Sequence, residues 1–255
     1  YQPTRPSRLE ALIAEAARRP PADLRRAERL VERLIALGLS KYNLAAEAPD
    51  DPRPAAAGRP VILVPGQVED DASILLGAGE VATNAALLRA ARARWPEAFL
   101  LYKPHPDVEA GLRSGAVAAE VLAETADAVA DRSDPAALLP MVDRVATITS
   151  GLGFEALLRG VPVTTFGAPF YAGWGLTQDL GPVPARRVAR PSIAALVHAV
   201  LIAYPRYHDP VSGLPCAPEL AIERLGDGAA TGRGAGLSIL SQAQRRLRAF
   251  RHLWR

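Results

Sequence analysis

Short uninterrupted apolar runs alternate along this chain with stretches in which apolar residues recur every three or four positions. Leu9, Leu12, Ile13 and Ala16 follow helical spacing behind Ser7, which suits an N-cap. Leu24, Ala27, Leu30, Val31, Leu34, Ile35 and Leu37 predict a second helix from about Ala22, with Gly38 fitted to its C-terminus. Residues 45–60, rich in Ala, Pro and Asp, read as a linker. From Pro60 the pattern changes. Val61-Ile62-Leu63-Val64 is a continuous apolar run, the mark of a strand buried on both faces. A helix at about 82–95 follows, then a strand at 98–102, a helix at about 115–125 and a weak strand at 128–130. Asp134-Pro135 predicts the start of a short helix, with Asp at the N-cap and Pro in the first turn. A strand at 145–149, a helix at 153–159 and a strand at 161–166 complete the alternation.

Strands alternating with helices predict an α/β fold, a Rossmann-like parallel sheet with helices on both faces. Right-handed crossovers place every strand-to-helix loop along one sheet edge, where ligands bind in such folds. The chain divides into N-terminal helices and linker (1–59), a Rossmann-like domain (60–205) and a C-terminal extension (206–255). In that extension a Gly-rich connection at 226–236 leads to a last, basic helix.

Composition narrows the function classes. With 255 residues, 49% of them hydrophobic and 22% charged, the chain can bury a full core without staples. A single cysteine, Cys216, excludes an intrachain disulfide and a cysteine-based metal site, and fits a cytoplasmic compartment. The sequence begins at Tyr1 and reads as a chain entered partway, with no signal-peptide pattern and no apolar stretch long enough to cross a bilayer. The net charge is only +3, but Arg245, Arg246, Arg248, Arg251 and Arg255 cluster among Leu247, Phe250, Leu253 and Trp254. That segment is either a packing helix with a solvated face or an interfacial helix lying on anionic lipid. Nucleic-acid binding is disfavoured, because the arginines are confined to one end and no stacking platform accompanies them.

Four loops carry candidate chemistry. After the first strand come Gln67-Val68-Glu69-Asp70-Asp71-Ala72-Ser73. They form either a solvated turn with Ser73 capping a helix, or a carboxylate nucleophile or base oriented by Gln67. After the second come Lys103-Pro104-His105-Pro106-Asp107, in which prolines on both sides stiffen His105 beside a lysine. Such a group suits gripping a phosphate or protonating a leaving group. Thr149-Ser150-Gly151-Leu152-Gly153-Phe154-Glu155 places hydroxyls and glycines before a helix, a ready anion site. Glu155 there would either bond ribose hydroxyls or complement the helix dipole. The spacing matches neither a dinucleotide fingerprint nor a Walker loop. Last, Pro169-Phe170-Tyr171-Ala172-Gly173-Trp174-Gly175 interleaves aromatics with glycines, to stack on a sugar or base or to pack under the sheet edge.

These strings, with Val64-Pro65-Gly66 ahead of the first and Ala156-Leu157-Leu158-Arg159-Gly160 completing the third, resemble the bacterial capsule-synthesis Kdo transferases of the KpsC type. Order and spacing match over about residues 1–205; the remainder carries little of the likeness. The resemblance implies a retaining β-Kdo transferase of GT-B-like architecture, of which this chain holds the C-terminal donor domain of one module. The donor would be CMP-β-Kdo, and the acceptor a Kdo-bearing lipid of phosphatidylglycerol type on which the capsular linker is built. The partner Rossmann domain would precede Tyr1. Carried over by position, Asp71 is the lead candidate for a covalent nucleophile, with Asp70 as the alternative. His105, with Pro106, would contact the phosphate of CMP. Ser150 and Gly151 would bind phosphate or ribose, and Glu155 the ribose. Gln67, Ser73, Thr149, Gly153, Phe154, Tyr171, Gly173 and Trp174 complete the expected donor contacts. Lys103 either touches the phosphate or pairs with an acid. No metal or other cofactor is expected. The chain would be cytoplasmic, with peripheral contact at the inner face of the membrane through its last helix. The competing readings are another CMP- or UDP-sugar transferase or epimerase, and a noncatalytic domain of an export assembly.

Overall fold

The computed structural model describes residues 3–39, 49–131 and 133–227. The Gly-rich connection and the basic last helix expected at the C-terminus lie outside them, apart from Gly226 and Asp227. Two compact units are present, Tyr1–Tyr204 and Pro205–Arg255.

The first unit opens with α1 (Arg8–Ala16) and α2 (Pro21–Ala36). Ser7 caps α1 in a full capping box: its hydroxyl accepts from Glu10 N–H, while the Glu10 carboxylate accepts from Ser7 N–H. Pro21 takes the first turn of α2, where a missing N–H costs nothing. A short helix, α3 (Arg53–Ala56), precedes β1 (Val61–Pro65). Then follow α4 (Ala72–Gly77), α5 (Asn84–Arg94), β2 (Phe99–Lys103), α6 (Pro106–Glu109), α7 (Ala119–Thr125) and β3 (Ala128–Val129). The chain continues through β4 (Arg144–Thr147), α8 (Gly151–Leu158), β5 (Val163–Thr165), β6 (Gln178–Asp179) and α9 (Ile193–Val197), which runs on as a π-helical turn at His198–Ala203.

The strands form one six-stranded sheet in the order β3-β2-β1-β4-β5-β6, with every pairing parallel. Alternate residues point to opposite faces. Ile62, Val64, Leu100, Tyr102, Ala146 and Ile148 meet Leu87, Leu88 and Ala91 of α5 in one core cluster. The intervening set, Val61, Leu63, Leu101 and Val145, is equally buried, so both faces are covered. This is the Rossmann-like arrangement that the alternation predicts.

Three features differ from the sequence reading or go beyond it. Asp134-Pro135 does not start a helix: Asp134 Oδ1 accepts from Ala136 N–H at 2.9 Å, closing a local turn, and a 3-10 turn follows at Leu139–Met141. The packing of the N-terminal helices is a feature on which the sequence reading was silent. α1 and α2 pack on α9 and its π-helical continuation, because their stripe of Ile13, Ala16, Leu24, Ala27 and Leu30 needs an apolar partner. The third is β6, a strand of two polar residues at the sheet edge with no apolar run to announce it.

In the second unit, β7 (Tyr207–His208) and β8 (Pro215–Cys216) form an antiparallel hairpin followed by α10 (Pro218–Gly226). Asp209 closes the hairpin, accepting from Val211 and Ser212, and its bonds to those groups hold its carboxyl down at about 2.

Candidate functional site

β1 and β4 are neighbours in the sheet, but the chain leaves them in opposite directions, towards β2 and towards β5. Their C-terminal ends therefore splay the following loops apart, and a crevice opens between them. It is a cavity of about 280 Å³ lined by Gln67, Val68, Asp71 and Ser73 from the loop after β1, His105, Asp107 and Arg113 from the segment after β2, and Thr149, Ser150 and Gly151 after β4.

Gln67 forms its floor. The side chain is buried and spans the switch point: Nε2 donates to Thr149 Oγ1 at 3.0 Å, while Oε1 accepts from Thr149 N–H at 3.0 Å and from Thr147 Oγ1 at 3.1 Å. Thr147 Oγ1 in turn accepts from Ser150 N–H. The Gln67 backbone is clamped by Asn84, 1% exposed, whose Oδ1 accepts from Gln67 N–H and whose Nδ2 donates to the carbonyls of Gln67 and Gly115. Buried amides that satisfy every neighbour in this way rigidify a loop that carries no regular structure.

The polar groups on this floor have distinct settings. Asp71 is the N-cap of α4, its Oδ1 accepting from Ser73 N–H at 2.8 Å, and it lines the cavity. Asp70 does not line it. Its Oδ1 instead takes Arg113 Nη2 at 2.9 Å and Nε at 3.3 Å, and the Arg113 hydrogen bond holds its carboxyl below the usual range. His105 caps α6, with Pro106 at the first helical position; Nδ1 accepts from Asp107 N–H at 3.1 Å, so the neutral ring carries its proton on Nε2. Ser150 caps α8, accepting from Leu152 N–H at 3.2 Å, and Gly151 opens the helix beside the cavity. The positive end of α8 thus faces the same space as Asp71 and His105.

Lys103 is placed elsewhere. It is 1% exposed, and its ammonium donates to Glu109 at 2.7 Å and to the Pro104 carbonyl at 2.9 Å, away from the cavity-lining residues. It braces the turn that presents His105, and of the two roles left open for it the geometry gives the pairing with an acid. Glu155 sits in the second turn of α8 and is not among the lining residues either.

The aromatic loop after β5 is also set back. Tyr171 is fully buried, and its hydroxyl donates to the Ser150 carbonyl at 2.6 Å. Gly153 is there to admit it: a Cβ at that position would overlap the tyrosine hydroxyl. Phe154 meets Phe170 edge-on with ring centroids 5.2 Å apart, and Trp174 donates Nε1–H to the Phe170 carbonyl at 2.8 Å. Gly173 takes φ of 84° and donates to Asp179 of β6. Beneath them Arg187, 3% exposed, stacks on Trp174, donates to the carbonyls of Pro169 and Ala172, and pairs with buried Glu10 at 3.0 Å. Burial pulls its guanidinium down to about 10. Gly153, Phe154, Tyr171, Gly173 and Trp174 therefore make a packed support behind the cavity wall and do not line the cavity.

Four residues of the site were given no role in the sequence reading: Val68 and Asp107, which fall inside its candidate loops, Arg113, which also lines the cavity, and Asn84, which clamps its floor. Asn84 stands in an ordinary helix start, and Arg113 in a stretch without a motif. Asp107 alone was within reach, as the residue that closes the His105 turn. Among the described residues no group of three His, Cys, Asp or Glu side chains converges to hold a metal ion.

The family model described as capsule polysaccharide biosynthesis protein matches residues 28–207. A lipopolysaccharide-processing protein, LpsZ, of Rhizobium meliloti is 46% identical over 208 residues, covering 81% of this chain and 47% of its own length. The capsule polysaccharide modification protein LipA of Neisseria meningitidis serogroup B is 45% identical over 220 residues, covering 86% of this chain and 30% of its own. The chain thus spans less than half the length of these relatives. Two solved structures from Thermosulfurimonas dismutans KpsC are similar over 89% of the chain. The β-Kdo 2,7 transferase has a TM-score of 0.74 at 36% identity with 68% of its own chain covered. The β-Kdo 2,4 transferase has 0.77 at 32% identity with 70% covered. With its family model matched over most of its length, the chain belongs to the capsule polysaccharide biosynthesis protein family.

Proposed function

We propose that this chain is the nucleotide-sugar-binding half of a capsule glycosyltransferase, a retaining β-Kdo transferase of GT-B-like architecture whose donor is CMP-β-Kdo. The observation that carries the reading is the convergence of a carboxylate, an imidazole and a helix N-terminus on one cavity at the sheet's switch point. The similarity to two transferases named for β-Kdo supports the sugar assignment.

In this reading the Asp71 carboxylate attacks the anomeric carbon while the bond from that carbon to the phosphate oxygen breaks. CMP departs with the electron pair, and its charge is met by His105 Nε2–H and by the positive end of α8 at Gly151, so the step needs no metal ion. An acceptor hydroxyl then displaces Asp71 from the opposite face and releases its proton to water. Two inversions give net retention. Asp71 is preferred to Asp70 because Asp71 lines the cavity, whereas Asp70 does not and is engaged by Arg113. Ser73, Thr149 and Ser150 supply hydroxyls for the sugar and ribose, while Lys103 and Tyr171 act behind the wall.

The acceptor in this reading is a Kdo-bearing lipid, which would bring the protein to the cytoplasmic face of the membrane as a peripheral partner. Among the described residues no helix is long and apolar enough to cross a membrane. The basic helix proposed for the membrane contact lies outside those residues.

Calorimetric titration with CMP and UDP tests the reading. CMP is expected to bind at least about tenfold more tightly than UDP, a gap of about 1.4 kcal/mol. Preference for UDP would move the chain to another nucleotide-sugar enzyme. CMP binding without any Kdo transfer by the full-length protein would leave a noncatalytic role.

A further inference from the structure

We propose that Arg113 recognises the carboxylate that an acidic sugar donor carries on its anomeric carbon. The inference rests on the donor-binding reading above and extends it to a residue that neither motif nor family likeness marks.

The argument begins with charge. The cavity walls carry two carboxylates, Asp71 and Asp107, and the donor adds two anionic groups of its own, a phosphate and a carboxylate. The phosphate has partners in His105 and the opening of α8. The carboxylate has none among those groups. Among the described residues lining the cavity, Arg113 is the only lysine or arginine, since Lys103 is committed to Glu109.

Position supports the same assignment. In a ketulosonic acid the carboxylate carbon is bonded directly to the anomeric carbon. Whatever group approaches that carbon must approach the carboxylate as well, and like charges brought together in a partly enclosed site repel strongly. Asp71 is the approaching group in the proposed reaction. The residue immediately before it, Asp70, holds Arg113 at 2.9 and 3.3 Å. A permanent cation is thereby held on the residue next to Asp71, in the wall of the cavity that Asp71 also lines.

The geometry of that pair leaves it able to act. Asp70 takes Nε and Nη2 of the guanidinium, and among the described residues Nη1 has no hydrogen-bond partner. The arginine side chain is 35% exposed, so a ligand can reach it, and the aspartate restrains a stem that would otherwise sample many rotamers. A solvated surface pair would show the same two bonds and contribute little. What separates Arg113 from such a pair is its place in the cavity wall.

Steady-state kinetics of the full-length protein decide the matter, comparing the KM for CMP-β-Kdo with the inhibition constant of CMP, which has the phosphate and lacks the carboxylate. Arg113→Gln is expected to raise the KM about tenfold to a hundredfold, the range for losing a hydrogen bond between charged groups. The inhibition constant of CMP is expected to move less than about twofold, within the scatter of a surface substitution. Arg113→Lys, which keeps the charge but not the fork, should fall between, and it carries the comparison if the glutamine variant does not fold. Equal losses for donor and CMP would overturn the proposal and make Arg113 a phosphate ligand. Unchanged constants for both would reduce it to a solvated ion pair. Failure of the wild-type protein to bind CMP or transfer Kdo would remove the donor-binding reading itself, an outcome visible before any variant is made.

Discussion

The loop after β1 and the loop after β5 leave the same edge of the same sheet, and both are rich in residues that can contact a ligand. Only the first faces the cavity. Residues 67–73 turn Asp71 and Ser73 towards open space and bury Gln67 as a brace. Residues 169–174 do the reverse: Tyr171 and Trp174 are sealed against Gly153, Phe170 and Arg187, and only backbone and packing connect them to the site. Aromatics beside glycines are thus no guide to ligand stacking at a sheet edge. Where polar tips find carbonyls within the protein, as Tyr171 finds Ser150 and Trp174 finds Phe170, the rings belong to the support.

The contrast predicts that substitutions in the first region change chemistry while those in the second change stability. The largest effect is expected from Asp71→Asn in the full-length protein. Transfer should fall by about a thousandfold or more, about 4 kcal/mol in the barrier, with CMP affinity retained by calorimetry. Retained transfer would exclude Asp71 as nucleophile.

Next comes Arg187→Met, behind the aromatic loop. It removes donors from two carbonyls and breaks a buried pair with Glu10, so stability should drop by about 3 kcal/mol, near the low end for such a loss. Arg186, which also holds Glu10 at 2.9 Å, limits the damage. Denaturant unfolding measures this, and CMP affinity per folded molecule should stay the same. An unfolding midpoint that does not move would break the comparison at its structural side.

His105→Ala should weaken CMP about tenfold, close to 1.4 kcal/mol, with little change in unfolding midpoint. An unchanged CMP affinity would take the imidazole out of the phosphate site. Tyr171→Phe is the smallest and the most discriminating. It keeps the ring and deletes one bond of 2.6 Å to the Ser150 carbonyl, at a cost of about 1 kcal/mol in stability. CMP binding should loosen only by about twofold to threefold, because the α8 opening remains capped by Ser150 itself. A loss as large as that of His105→Ala would show that the buried loop sets the ligand geometry directly.

Much of the fold was legible because burial imposes periodicity. Buried parallel strands such as Val61-Ile62-Leu63-Val64 must be apolar on both faces, and α1 announced itself through Ser7 and its apolar stripe. What periodicity cannot mark was missed: β6 has two polar residues, and the β7–β8 hairpin is held by Asp209 rather than by apolar alternation. In the site, strand ends located the loops, and the prolines around His105 indicated its stiffness. Which way each side chain turns was not legible. Lys103 and His105 are two residues apart, yet one is sealed against Glu109 and the other lines the cavity. That outcome is set by where β2 ends at Lys103 and α6 is capped at His105, and neither leaves a mark in composition. Arg113 was invisible for a different reason: its importance comes from Asp70, far away in sequence.

The pairing of β1 with β4 also bears on when the site comes into being. Ile62 lies against Arg144, so that contact closes a long loop of chain that includes β2 and β3. Long-range parallel pairing of this kind is among the slower events available to a folding chain. A chain with β1 and β2 joined but β4 undocked would hold Asp71 and His105 side by side with no Ser150 opposite, and no crevice to retain a nucleotide. If the proposed nucleotide binds here, its capture during refolding would report the completion of the sheet, and a nascent chain would acquire it only after β4 had emerged and docked.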